Sequence, residues 1–421
     1  MRNGATELAA GVTTFFTMAS IVIVNPTILA TEGTGMPFDG VLTATVAVCF
    51  LMTLLMGLYA KLPFAVAPGM GINAFFTYTL VLRDGVPWPV ALGIVFWAGV
   101  VFLLISATPL RELIARAIPR ELRAAAAAGI GLFLTFIGLQ HAGFVAADPV
   151  TLVRLGPLDI RAPLVLAGLL VTAMLLQRRN PLAFLAGIFA VSAAAWAFGL
   201  VAPPSRIFSP PDFGLLLQFD PWGALRLALV PSIVALLFTD LFDSISTFIG
   251  VSQASGLVDR EGQPINLRKG LIVDSLATLG AGLFGTSSGT AYIESIAGIR
   301  AGGRTGLTSV ATACCFLPCF FLAPLAASIP DFATSAVLLL VGAAMFGPVV
   351  GIDFTKIEEG LPAFVTIVLI PLTFSITQGI LWGFMLHAAL YPLAGRRREV
   401  HPAMYGLAAI AVGLLVLEHG R

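Results

Sequence analysis

The chain alternates between long apolar runs and short interruptions rich in charge, Pro or Gly. A bilayer-crossing helix needs about 20 apolar residues, and the pattern predicts runs of this kind at 8–30, 40–60, 88–108, 124–143, 162–177, 182–201, 223–250, 270–285, 305–328, 332–350, 361–375 and 379–394. Two Gly-rich stretches are too short to span: 67–82 (APGMGINAFFTYTLVL) and 285–299 (GTSSGTAYIESIAGI). Counting both gives fourteen elements, seven in each half, and the two short ones stand third in their halves. An odd number of crossings per half sets the halves in opposite orientation. Interrupted segments at corresponding places of two such halves point to the binding site of a transporter. A last apolar run at 402–417 is left over, and Glu418, His419 and Arg421 do not decide whether it spans.

Composition agrees with a bilayer. Of 421 residues 58% are hydrophobic and only 11% charged, against about 25% charged in soluble domains. A chain so poor in charge excludes a cytosolic enzyme, a nucleic-acid binder and a secreted disulfide scaffold. Cys49, Cys314, Cys315 and Cys319 all fall in apolar runs, where a thiol packs as a small hydrophobe. Cys315 and Cys319 share a helix face but have no His or carboxylate nearby to complete a metal shell, so no metal or other cofactor is expected. The first run lacks a small-residue cleavage site and reads as a retained span.

Lys and Arg favour cytoplasmic loops. With the N-terminus inside, the inner loops hold Lys61, Arg111, Arg116, Arg120, Arg123, Arg178, Arg179, Arg260, Arg268, Lys269, Arg300, Arg304, Lys356 and Arg396 to Arg398. The outer loops keep only Arg83, Arg154, Arg161 and Arg206. Both ends of the fourteen-element unit are therefore expected in the cytoplasm, in a multi-pass protein of the cell inner membrane.

Ionisable groups in spans cost roughly 2.5 to 3.5 kcal/mol on insertion scales, so each asks for a reason. Asp240 and Asp243 in LLFTDLFDSISTFIGV lie three residues apart, on one helix face. Glu294 follows the second Gly-rich break, where a helix N-terminus would help to hold a carboxylate or a polar substrate, and Asn73 occupies the break of the first half. Carboxylates accept, Asn does both, and free backbone N–H groups donate, a set suited to a planar heterocycle. Desolvation favours a protonated carboxyl, so the same groups could carry a proton across. Phe75, Phe76, Tyr78 and Tyr292 near the breaks could stack on a ring.

The segments TELAAGVTTFFTMASIVIVNPTIL, APGMGINAFFTYTLV, LLFTDLFDSISTFIGV, VDSLATLGAGLFGTSSGTAYIESIAGIRAGGRTGLT and LPAFVTIVLIPLTFSITQGI resemble the AzgA-like adenine/guanine/hypoxanthine permeases. These sit within the wider nucleobase/ascorbate (nucleobase-cation-symport-2) transporter family, and the likeness runs from Glu7 to about Gly395. It implies an all-α membrane protein of fourteen elements in a 7+7 inverted repeat, with two short broken helices and brief extended segments at mid-membrane. It also implies a core domain (1–120 and 206–330) moving as an elevator against a gate domain (121–205 and 331–421), and uptake of purine nucleobases with protons. The family's binding positions carry over as Asn73, Asp240, Asp243 and Glu294; with Phe75, Thr290 and Tyr292 beside the breaks added, the expected substrate-binding set is Asn73, Phe75, Asp240, Thr290, Tyr292 and Glu294. Proton coupling falls to Asp240, Asp243 and Glu294. Expected partners are a purine nucleobase, protons and the lipid bilayer, with no nucleic acid; an elevator gate would also benefit from a homodimer partner.

Plainer roles compete at each position. Asp240 and Asp243 could be a polar pair bonding across helices; of the two, Asp240 is favoured for ligand contact and Asp243 for internal bonding or coupling. Glu294 could stabilise a helix end and Asn73 could cap one. Asp274 and the Asn25-Pro26 pair read first as structural, because an adjacent polar group relieves the bonding that Pro removes. His141 and His387 fit interfacial placement, and Gly302 to Gly306 a cytoplasmic turn. Two alternatives stay open: another heterocycle such as xanthine or uracil on the same fold, and a channel or facilitator for a small polar solute. No HExxH or GxSxG motif supports enzyme chemistry.

Overall fold

Where water is scarce, peptide groups must bond within their own segment, and the apolar runs accordingly fold as helices. The computed structural model describes residues 4–108, 118–258 and 264–419. Arg111, Arg116, Arg260 and Arg421, placed above from sequence, lie outside the described residues. The first half contains α1 (Gly4–Met18), α2 (Ile21–Leu29), α3 (Phe38–Leu55), β1 (Val66–Pro68), α4 (Met70–Ala74) and α5 (Trp88–Ala107). It continues with α6 (Arg120–His141), the hairpin β2 (Val145–Asp148) and β3 (Leu152–Leu155), α7 (Arg161–Gln177) and α8 (Ala183–Ala197). The second half contains α9 (Val230–Ser255), α10 (Leu267–Phe284), β4 (Gly289–Ala291), α11 (Ser295–Arg300) and α12 (Gly306–Phe316). It ends with α13 (Asp331–Phe346), α14 (Ile357–Thr373), α15 (Ile376–Leu393) and α16 (Pro402–His419).

The protein is a predominantly helical membrane protein. Six described helical segments are long and apolar enough to cross a bilayer: Gly4–Leu29, Phe38–Ala60, Trp88–Ala107, Arg120–His141, Leu227–Ser252 and Asp331–Gly351. Several predicted runs are divided. The first is interrupted between Met18 and Ile21. The run at 305–328 folds as α12, a 3-10 turn over Leu317–Phe321 and a short helix Ala323–Ala327, with Pro318 and Pro324 at the starts of the two later pieces. The run at 223–250 begins as separate turns before α9. The hairpin β2–β3 has no counterpart among the predicted elements, because a 20-residue window blurs a four-residue alternation.

Packing sorts most helices into two groups. In one, α1 lies on α12, α3 on α2, α10 and α12, and α5 on α9 and α10. In the other, α6 packs against α13, α14 and α15, while α7 and α8 pack on each other and on α13. The groups meet where α4 touches α6 and α9 touches α15.

Both Gly-rich breaks are real interruptions, and they pair with each other. β1 runs antiparallel to β4 with Val66 opposite Ala291, Ala67 opposite Thr290 and Pro68 opposite Gly289. Gly285, at φ +96°, ends α10 in the left-handed conformation that glycine tolerates and turns the chain into the second break. After β1 the chain re-enters helix as α4 and then winds as a π-helix over Phe75–Arg83. Such winding is rare and recurs at functional sites.

Candidate functional site

Two isolated strands would leave peptide groups without partners inside an apolar bundle, and the surroundings supply them. The amide of Gly69 donates to the Ser288 carbonyl at 3.0 Å, and that of Tyr292 to the Ala65 carbonyl at 2.9 Å. On the outer edge of β1, the Val66 amide donates to the Thr53 hydroxyl at 2.9 Å and the Ala65 amide to that of Ser295 at 3.0 Å. The Tyr292 hydroxyl donates to the Pro68 carbonyl at 2.5 Å, tying one break to the other.

Behind the strands lies a buried polar layer. Asp240 accepts from the hydroxyls of Thr278 and, at 2.7 Å, Ser288. Asp274 accepts from Ser244, whose hydroxyl also meets that of Thr290 at 3.1 Å. Asn73 accepts from Ser287 across the two breaks. Asn25 donates to Thr45 at 2.6 Å and to Thr286 at 2.8 Å, so its role is to join the first helix pair to the second break. This layer fixes the breaks in place, with Asp240, Asp274 and Asn73 all fully enclosed.

In front of the strands is open space. One cleft of about 100 Å³ is lined by Gly69, Asp243, Thr290, Tyr292, Glu294 and Met345, among others. A second, of about 80 Å³, shares Gly69, Gly71, Asp243 and Met345 with it and continues to Arg123. Asp243 is exposed to the cleft and Glu294 partly so. Neither side chain bonds or pairs with another described residue. Two carboxylates thus face one cavity with their acceptor oxygens free.

Of the residues selected from sequence, Asp243, Thr290, Tyr292 and Glu294 line the cleft. Asn73, Phe75 and Asp240 do not: Phe75 is core at 2% exposure, and the other two are fully buried, each with one oxygen bonded to hydroxyls. Asp243, rather than the Asp240 favoured from sequence, therefore lines the cleft. Asp243 points into the cavity while Asp240 points into the packed interior, because residues three apart on a helix differ by about 60° in direction. Sequence reading passed over Arg123, placed among loop charges, as well as Gly69, Thr247 and Met345. The signal for Arg123 was its place directly before the apolar run AAAAAGIGLFLTF, at the mouth of a span. Met345 carried no such signal.

Residues 5–381 match the Permease family, Xan_ur_permease. The chain belongs to this family. It is 40% identical to the guanine/hypoxanthine permease PbuO of Bacillus subtilis (strain 168), over 94% of this chain and 93% of that one. To the adenine permease AdeP of Escherichia coli (strain K12) it is 37% identical, over 97% and 92% respectively. The resemblance drawn from the motifs holds, and the protein is a permease rather than an enzyme. In fold this permease is similar to the transmembrane domain of the cyanobacterium bicarbonate transporter BicA, with a TM-score of 0.67 at 19% identity over 91% of this chain and 98% of that one.

Proposed function

We propose that this permease imports purine nucleobases together with protons, hypoxanthine, guanine and adenine being the substrate class. The observation that carries the reading is the pair of unpartnered carboxylates, Asp243 and Glu294, on one cleft where two interrupted helices meet. Carboxylates accept the ring and exocyclic N–H donors of a purine, and the Thr290 hydroxyl adds a donor or acceptor beside them. The same two groups oppose an anion by repulsion, although the fold is shared with a protein named a bicarbonate transporter. Relatives named adenine and guanine/hypoxanthine permeases support the purine assignment.

The two packing groups supply the moving parts of this reading. The group built on α1 to α5 and α9 to α12 is the core and carries the breaks; the group built on α6 to α8 and α13 to α15 is the gate. The fourteen-element inverted repeat describes the same division, with the protein in a cytoplasmic membrane and both ends of the repeat inside. A proton taken up by Asp243 or Glu294 from outside offsets a charge that would be costly to carry through the bilayer.

The test is uptake of labelled hypoxanthine by cells lacking their own purine permeases, competed by unlabelled bases. Glu294→Gln is expected to abolish concentrative uptake, and a protonophore to stop accumulation. Accumulation that survives the protonophore would remove proton coupling, and uptake unaffected by every purine would remove the substrate class.

A further inference from the structure

Arg123 is out of place on ordinary grounds. It lies in the first turn of α6, where the helix dipole is positive and a cation is unfavourable. Its Nε is enclosed without a hydrogen-bond partner, and among the described residues it makes no ion pair. The cavity wall around it is mostly apolar, with Ala126, Ala127, Ile130, Phe242 and Ile380, and also carries the hydroxyls of Thr239 and Ser246; among the described residues none of these hydrogen-bonds the Arg123 side chain. Asp243 lines the same cavity. A guanidinium held half-buried against apolar groups, unpaired, at an unfavourable helix end, is explained by a ligand that brings its own acceptors.

The purine reading limits what such a ligand can be. Ionised carboxylates only accept, and a guanidinium only donates, through a planar fork. A base lying between them turns an N–H donor toward whichever of Asp243 and Glu294 is ionised and a pair of adjacent acceptors toward Arg123. A 6-oxopurine does this: O6 and N7 are neighbouring acceptors that an Arg fork engages in a bidentate pair. Adenine does not, because its N6 amine donates beside N7 and sets donor against donor. A Gln side chain, with one acceptor and one donor, is the group that matches adenine.

We infer that Arg123 is a specificity-determining residue that selects 6-oxopurines, hypoxanthine and guanine, over adenine by donating to O6 and N7. The inference rests on the purine reading, and the two can fail separately. The full-length protein is assayed for labelled hypoxanthine uptake, with the inhibition constants of unlabelled hypoxanthine and adenine compared. The wild-type protein is expected to favour hypoxanthine about tenfold or more, the range that one bidentate base contact is worth. Arg123→Gln is expected to shrink the ratio at least tenfold or reverse it, and Arg123→Lys, which still only donates, to keep its direction. If Arg123→Gln does not reach the membrane, Arg123→Ala is read in its place, with the ratio expected near one. A wild-type preference for adenine, or an unchanged ratio in a variant that still transports, overturns the inference. Absence of any purine uptake by the wild-type protein overturns the reading beneath it instead.

Discussion

Asp240 and Asp243 stand one turn apart on α9, with different surroundings. Asp240 is fully enclosed and accepts from Thr278 and Ser288, so it holds α9, α10 and the second break together. Asp243 has no such partners and looks onto the cleft. Substitution should separate the two roles. Asp243→Asn is expected to weaken purine binding at least tenfold in a direct binding assay while leaving the melting temperature in detergent unchanged. Asp240→Ala removes the shared acceptor of the Thr278 and Ser288 hydroxyls, which are left with each other at 2.8 Å, and is expected to cost about 1–3 kcal/mol, read as a lower melting temperature. Equal loss of binding in both variants with no thermal effect would cancel the distinction. The sequence made this face legible as far as the carboxylates and the Gly-rich breaks, since charge in a span announces itself. It did not reveal which aspartate was already partnered, because Ser288 and Thr278 are distant in the chain from Asp240 and uninformative alone.

At the scale of elements, close helix crossings follow from small residues. A Cβ placed on Gly131 of α6 would come within 2.5 Å of the Gly342 carbonyl of α13, and one on Gly342 would meet Gly131 and Thr135 in return. The two backbones therefore approach as closely as glycine permits, the small-residue packing that membrane helices use. Gly131→Ala must push α6 off α13 and is expected to destabilise the protein by about 1–3 kcal/mol, the usual cost of overpacking, measured by thermal unfolding in detergent. An unchanged melting temperature would mean the crossing relaxes freely. Long helices were readable from apolar run length alone, as were the two breaks from Gly content. The hairpin β2–β3 and the π-helical stretch Phe75–Arg83 were not. Their geometry depends on local hydrogen-bond registers that no hydropathy window senses.

For the whole molecule, α6 acts as a ruler. Its 22 residues span about 33 Å, with the cleft beside Arg123, Ala126, Ala127 and Ile130 in its first half. At its far end the two packing groups are joined by three polar contacts. The Tyr78 hydroxyl meets His141 Nε2 at 3.1 Å, the Thr79 hydroxyl donates to the Phe374 carbonyl at 2.5 Å, and Arg83 Nη1 donates to the Thr373 carbonyl at 2.5 Å. The last two acceptors are end carbonyls of α14, left free by the end of the helix at Phe374, where φ is +51°. In the proposed orientation, with Arg83 outside and Arg120 inside, these bonds would close the external side while the cleft lies toward the cytoplasm. The proposed elevator movement would have to break them. With the four cysteines replaced by serine and Thr290→Cys added as a reporter in the cleft, an impermeant thiol reagent applied from outside should label the protein slowly. Adding Thr79→Ala and Arg83→Ala removes two of the three contacts and is expected to speed that labelling severalfold, as the outward-open population rises. Labelling at the original rate would show that the contacts do not hold the external side shut, and that closure rests instead on apolar packing such as the edge-to-face contact of Phe133 with Phe374.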